Sequence, residues 1–227
     1  MRVGVIIPAH NEESSIGRVI SDLPKDQLAE IVVVNNNSSD NTQSVAKNHG
    51  AVVLSESKKG YGWACLKGID YLADKKIDVV VFLDGDYSDS PEEIKELLKP
   101  IKQEGHDFVI GSRVLGVSQK GALLLHQRFG NKLATTLMSL FYGANYTDLG
   151  PFRAIKYDAL TDLKMNDKTY GWTVEMQIKA VKKKLKYTEV PVSYKPRIGK
   201  SKVSGTIVGS FKAGFIILFW VFKSIFD

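Results

Sequence analysis

Residues 79–90 read VVVFLDGDYSDS, and the fold turns on what that stretch becomes. Four β-formers and a leucine run without interruption into Asp84-Gly85-Asp86. This is the pattern of a strand buried on both faces that ends by presenting two carboxylates at its C-terminal edge. Ligands of open parallel sheets gather beyond the carboxyl ends of the strands. Residues i and i+2 of a strand share a side, so both carboxylates can reach one ion. Hard oxygens so placed suit Mg²⁺ or Mn²⁺ that also holds phosphates. Asp-Gly is equally an ordinary turn dipeptide, so this segment by itself leaves a metal site and a solvated turn both open.

Outward from there, strands and helices alternate. Residues 3–8 form a continuous apolar strand closed by Pro8, and 14–23 carry helical spacing through Ile16, Val19, Ile20 and Leu23. Residues 31–34 are a second buried strand, followed by the polar run Asn35 to Thr42 and a helix to about Asn48. A third strand at 51–54, a helix near 63–73 after Gly60-Tyr61-Gly62, a helix opened by Ser90-Pro91-Glu92-Glu93, and a strand at 107–111 complete the pattern. This order predicts an α/β, doubly wound, mostly parallel sheet with helices on both faces.

Composition agrees. With 227 residues and 44% hydrophobic content the chain can bury a large core, which excludes global disorder. The single cysteine, Cys65, forms no disulfide framework and reads as a core thiol in a reducing compartment. The N-terminal apolar run is too short for a signal peptide, so the expected location is cytoplasmic. Net charge is +6, and residues 179–202 concentrate nine Lys/Arg against the single acid Glu189, a block suited to phosphate-rich partners or a membrane surface.

The predicted strand ends collect polar loops: Pro8 to Glu13 after the first, Asn35 to Thr42 after the second, Asp84 to Asp86 after the fourth. Amides and carboxylates there can bind a base and a ribose while a metal neutralises a pyrophosphate. Gly60-Tyr61-Gly62 lacks the third glycine of a dinucleotide fingerprint, and no Gly-x-x-x-x-Gly-Lys-Ser/Thr occurs. His10 has no second histidine at metal-binding spacing.

Residues 6–13 (IIPAHNEE), 33–42 (VVNNNSSDNT), Asp84-Gly85-Asp86 and Gly111-Ser112-Arg113, in that order, resemble the motifs of family 2 inverting glycosyltransferases. Residues 148–153 (DLGPFR), 171–175 (GWTVE) and 197–202 (RIGKSK) narrow the resemblance to the dolichyl-phosphate mannose synthase group of polyprenyl-phosphate glycosyltransferases, over about residues 1–205. The resemblance implies a GT-A fold, a nucleotide-sugar donor and a lipid-phosphate acceptor. It places Pro8, Ala9, Asn11, Glu13 and Asn36 around the nucleoside, Asp84 and Asp86 on the metal and diphosphate, and Arg113 on a donor or acceptor phosphate. Arg197 and Lys202 would clamp the diphosphate from a mobile loop. Asp148 and Glu175 join Asp86 and Arg113 as the candidate catalytic set. With an anionic phosphate acceptor their task is to orient groups, since little base catalysis is required. Asp148 could equally cap a turn, and Glu175, beside the core stripe of its helix, could be a rim carboxylate or a helix N-terminal acid. Asn35-Asn36 stand where the family commonly has paired aspartates, which leaves the donor open between UDP-glucose and GDP-mannose types; a uridine donor such as UDP-glucose is preferred because the guanosine-using members supply no extra matching feature.

The tail, residues 206–227, forms a unit beyond the 1–205 domain: an apolar helix whose uninterrupted run, 213–222 between Lys212 and Lys223, is too short to span a bilayer. Phenylalanine and tryptophan beside lysine suit docking at the membrane interface, on the cytoplasmic face, and packing against a second copy is the alternative. Removal of residues 215–227 should then weaken transfer to lipid and leave donor binding intact. Two other functions are weighed. A sugar nucleotidyltransferase would use the same Asp-x-Asp but release pyrophosphate. A non-catalytic basic module would bind lipid headgroups or nucleic acid through 179–202 and leave Asp-Gly-Asp unexplained, so no nucleic-acid partner is expected.

Overall fold

The structure is a computed structural model that describes residues 1–199 and 207–225, with side chains in the last segment from 212 onward. Seven strands form one sheet: β1 (Val3–Ala9), β2 (Glu30–Asn36), β3 (Val52–Glu56), β4 (Val79–Phe82), β5 (Phe108–Ser112), β6 (Arg153–Lys156) and β7 (Tyr187–Pro191). Among the described residues eight α-helices accompany them: α1 (Ile16–Asp22), α2 (Thr42–Asn48), α3 (Tyr61–Leu72), α4 (Ile94–Glu104), α5 (Leu125–Tyr142), α6 (Tyr157–Leu163), α7 (Trp172–Lys182) and α8 (Ile207–Lys223).

The sheet order is β3-β2-β1-β4-β6-β5-β7. The chain moves outward from β1 to β2 and β3, then crosses to the other side of β1 as β4, with Val5 of β1 level with Ile31 on one side and Val81 on the other. The loops after β1 and β4 therefore diverge at a topological switch point, where a crevice opens at the strand ends. The pleat sends alternate residues to opposite faces. Ile6, Val34, Val80 and Phe82 pack with α3, α7 and α8 on one face, and Val5, Ile7, Val33 and Val81 with α1 and α4 on the other. Each such side chain contributes about 1.5–3 kcal/mol by leaving water, which is why these runs carry no alternation of polarity.

One strand departs from the parallel pattern. β6 runs antiparallel between β4 and β5, with Val81 opposite Ala154 and Val109 opposite Ala154 on its other edge. Four residues bounded by Arg153 and Lys156 give no legible periodicity, so β6 is invisible without its neighbours. Arg153 is fully buried and donates to the carbonyls of Gly150 (3.1 Å) and Thr173 (3.0 Å). Burial lowers its guanidinium to about 10. It thereby ties the loop 148–150 to the start of α7.

The tail is not set apart from the domain. α8 lies against α5 and α7. Trp220 and Val221 belong to the main core, and the Tyr142 hydroxyl donates to the Val221 carbonyl. Its outer side exposes Phe215, Phe219 and Phe222. The amphipathic pattern of α5 is likewise outward: Leu125, Phe129 and Leu140 are exposed, whereas Ala134, Thr135 and Met138 are buried. Among the described residues no helix is long and apolar enough to cross a membrane.

Candidate active site

A cavity of ≈ 330 Å³ occupies the switch point, lined among others by Pro8, Ala9, Glu12, Asn36, Asp84 and Asp86. β4 delivers Asp84 and the following turn delivers Asp86. Tyr87 holds φ +62°, a conformation costly for a non-glycine residue. Its hydroxyl bonds to Asp22, which anchors the strained turn.

The two carboxylates differ. Asp84 Oδ1 accepts from the Tyr61 hydroxyl at 3.1 Å, and burial, followed by the neighbouring charge of Asp86, pushes its proton affinity up to about 7. Asp86 Oδ1 accepts from the Ser88 amide (2.9 Å) and hydroxyl (2.6 Å), and Oδ2 pairs with Arg197 at 3.1 Å. Arg197 also pairs with Glu12 at 2.7 Å, and the Ile198 amide donates to the Asp86 carbonyl at 2.9 Å. The segment carrying Arg197 thus already lies over the cavity, its guanidinium placed between two carboxylates. Among the described residues no cluster of three or more His, Cys, Asp or Glu side chains could enclose a metal. Two carboxylates from one turn are the donor set by which Mg²⁺ or Mn²⁺ is held when phosphates complete its shell. The residues therefore fit such an ion.

Not every predicted nucleoside contact faces the cavity. Asn11 Oδ1 accepts from the Ser39 amide (2.8 Å) and Glu13 Oε2 from the Asn41 amide (2.9 Å). Both brace the loop after β2 and neither lines the cavity. Asn36 does line it, but its amide is engaged: Nδ2 donates to the Lys58 carbonyl (2.7 Å) and Oδ1 accepts from the Gly60 amide (2.9 Å). An aspartate has no N–H for the first of these bonds. Asn35 similarly pairs with Gln43 and the Ser38 amide. The Asn35-Asn36 departure is accounted for by local bonding and carries no choice of base. Lys202 lies outside the described residues.

Arg113 and Asp148 come together as a pair. Arg113 Nε and Nη2 reach the two carboxylate oxygens at 2.8 and 2.7 Å, and the Arg113 amide adds a third bond at 2.8 Å. The ion pair raises the guanidinium further above its ordinary range despite burial. Glu189 on β7 receives the amides of Thr147 and Asp148, and Gln177 donates to the Asp148 carbonyl at 2.9 Å. Asp148 therefore holds Arg113, itself fixed by β7 and α7. Arg113 opens on a second cavity of ≈ 480 Å³ with Arg128, Asn131, Lys132 and Thr147.

Glu175 is not a rim carboxylate. It is fully buried; its oxygens accept from the amides of Asn166 (2.8 Å) and Asp167 (2.7 Å), and Lys179 pairs with it at 2.7 Å. Its position beside the apolar stripe of α7 turns it inward, toward a neighbouring turn. Tyr61, Glu12 and Tyr170, none singled out from the sequence, do line the first cavity. Glu12 sits within the motif of the first loop and was legible there; Tyr61 and Tyr170 carry no local signal.

Comparison with known proteins places this geometry. The model of Glycosyl transferase family 2 matches residues 4–164. An uncharacterized glycosyltransferase of Mycobacterium bovis is 36% identical over 225 residues, 96% of each chain. The undecaprenyl-phosphate mannosyltransferase of Micrococcus luteus is 31% identical over 228 residues, 92% of this chain and 90% of its own. Among solved structures, glucosyl-3-phosphoglycerate synthase from Mycobacterium tuberculosis, in complex with Mn²⁺ and UDP-glucose, superposes with a TM-score of 0.77 at 21% identity, covering 98% of this chain and 78% of that one. The fold is GT-A, and the chain belongs to glycosyl transferase family 2.

Proposed function

We propose that this glycosyltransferase moves a hexose from a nucleoside-diphosphate sugar, held with a divalent cation at Asp84 and Asp86, to a polyprenyl phosphate at the cytoplasmic face of a membrane. The observation that carries the proposal is a pair of cavities, one with carboxylates partly met by cations and one with an excess of cations. The first gathers Asp84, Asp86 and Glu12 with Arg197 and Lys59; the second gathers Arg113, Arg128 and Lys132 with the single carboxylate Asp148. Helix α5, which supplies Arg128 and Lys132, exposes Leu125 and Phe129. A cationic pocket on a helix with bare apolar side chains suits an acceptor with a phosphate head and a hydrocarbon body.

When bound, Mg²⁺ or Mn²⁺ would supply charge neutralisation to the departing diphosphate. Arg197 would take the same diphosphate from its place over the cavity, with Lys202. Arg113, fixed in one orientation by Asp148, would face the acceptor phosphate with Arg128 and Lys132. A phosphate oxygen is anionic near neutral pH and attacks the anomeric carbon without a protein base. Attack opposite the leaving group inverts configuration. The mannosyltransferase of M. luteus supports the lipid acceptor by its name, and the structural neighbour bound to UDP-glucose supports a uridine donor. Phe215, Phe219 and Phe222 on the outer side of α8, beside Lys212 and Lys223, would add interfacial contact.

The test supplies UDP-glucose or GDP-mannose with Mn²⁺ and either undecaprenyl phosphate or 3-phosphoglycerate. Glycolipid and nucleoside diphosphate are the expected products. Arg128→Ala with Lys132→Ala should raise the acceptor KM about tenfold or more, the scale of lost charged hydrogen bonds, and leave the donor KM unchanged. Transfer to 3-phosphoglycerate alone, or release of pyrophosphate, would overturn the proposal.

A further inference from the structure

The buried carboxylate Asp167 joins the tail helix to the wall of the first cavity. Trp220, on the inner side of α8, donates its indole N–H to Asp167 Oδ2 at 2.6 Å. Asp167 Oδ1 accepts from the amides of Thr169 (2.6 Å) and Gly171 (3.1 Å). Glu175 takes the Asn166 and Asp167 amides from the other side. Two carboxylates thus shape the turn 166–171, and one of them is held by a residue of the tail. The packing is close: a Cβ on Gly171 would fall 2.2 Å from the Trp220 ring.

That turn is a wall of the cavity. Tyr170 lines it directly. The carbonyls of Lys168 and Asp167 press on the start of α3, where a Cβ on Gly60 or Gly62 would meet them at 2.1 Å. The Trp63 amide donates to the Lys168 carbonyl at 3.3 Å. Gly60 is bonded to Asn36, and Tyr61 to Asp84. A displacement of 166–171 is therefore passed to residues on both sides of the cavity, because no side chain cushions the contact at Gly60 and Gly62.

We infer that Asp167 and Trp220 are positioning residues for the sugar nucleotide: the tail helix, through the Trp220–Asp167 hydrogen bond, sets the 166–171 turn against Gly60–Gly62 and so sets donor affinity. This rests on the first cavity being the donor site. It also revises the expectation that the tail can be removed without touching donor binding, since truncation at 215 takes Trp220 away.

Trp220→Phe keeps an aromatic ring but removes the pyrrole part of the indole with its N–H, so the lost packing is separated from the lost hydrogen bond by the Asp167→Asn variant, which keeps the indole in place. The experiment measures calorimetric binding of UDP-glucose and GDP-mannose with Mn²⁺ to the full chain, its Trp220→Phe and Asp167→Asn variants, and the double variant, together with thermal midpoints and steady-state rates. Trp220→Phe should weaken donor binding about tenfold, the effect of losing a hydrogen bond to a charged group. It should raise the donor KM and leave kcat and the acceptor KM near wild type. The double variant should lose no more than the worse single variant, because both remove one interaction. Unchanged donor affinity in folded Trp220→Phe, or additive losses, would overturn the inference. If Trp220→Phe does not fold, Asp167→Asn decides alone, by the donor KM against kcat. A wild-type chain that binds neither sugar nucleotide would overturn the donor site itself, a failure distinct from that of the relay.

Discussion

Replacing Glu175 separates a structural carboxylate from a chemical one. Glu175→Ala leaves the buried amides of Asn166 and Asp167 without acceptors and leaves Lys179 with the Lys164 carbonyl alone. An unsatisfied buried donor costs about 1–3 kcal/mol, two are left here, and the loss of the ion pair adds little because Lys179 is partly exposed and keeps the Lys164 carbonyl. The expected loss is therefore roughly 2–6 kcal/mol. For a chain of this size that is a fall in Tm on the order of 10 °C. Glu175→Gln keeps the volume and one acceptor but turns an NH₂ toward the second amide, so it should lose roughly 1–3 kcal/mol. Urea unfolding followed by circular dichroism measures both. Kinetics below either midpoint should then show kcat of Glu175→Gln within a few-fold of wild type, the main change being in donor KM through the 166–171 turn. A general base removed by the same substitution would cost about 10²–10⁴ in rate. Wild-type stability of Glu175→Gln with a hundredfold loss of kcat would refute the placement.

Two further predictions follow from the charged groups. Asp84 keeps its proton up to about pH 7, whereas an aspartate of the unfolded chain releases it near pH 4. The folded, metal-free chain therefore binds more protons between those values, and its stability should fall as pH rises through that window. A divalent cation needs the carboxylate ionised, so metal affinity should rise up to about pH 7 and level off above; urea unfolding in EDTA across pH checks the first sign and titration of Mn²⁺ binding against pH the second, and a flat profile in either would contradict it. Arg113→Lys replaces a two-pronged ion pair with a point charge on Asp148, and should raise acceptor KM by about tenfold with donor affinity preserved. Equal changes in both constants would show that Arg113 serves the donor.

The strand ends were legible because buried parallel strands concentrate apolar residues and their loops concentrate polar ones; residues 3–8 and 79–86 declare both at once. That position makes Asp84 and Asp86 strand-end carboxylates, while the choice between a metal site and a turn rests on the neighbouring loops. β6 was hidden because four residues between charged ends owe their strand state to the hydrogen bonds of β4 and β5. The motif places Asn11 and Glu13 at the nucleoside and leaves Glu175 open between a rim carboxylate and a helix N-terminal acid, whereas oxygens of all three accept from backbone amides of adjoining loops. Nothing in sequence spacing distinguishes an acid that faces a ligand from one that holds a turn; only the loop lying opposite does. Asp167 and Trp220 are 53 residues apart in the chain, and no local pattern joins them.

The central claim is that Asp84 and Asp86 bind the sugar nucleotide through a divalent cation. Calorimetric titration of UDP-glucose and GDP-mannose into the wild-type chain and folded Asp86→Asn, each with Mn²⁺ and with EDTA, tests it most directly. Donor binding that requires Mn²⁺ in the wild type and is lost in Asp86→Asn is the predicted result; equal binding with Mn²⁺ and with EDTA, or equal binding by Asp86→Asn, would contradict it.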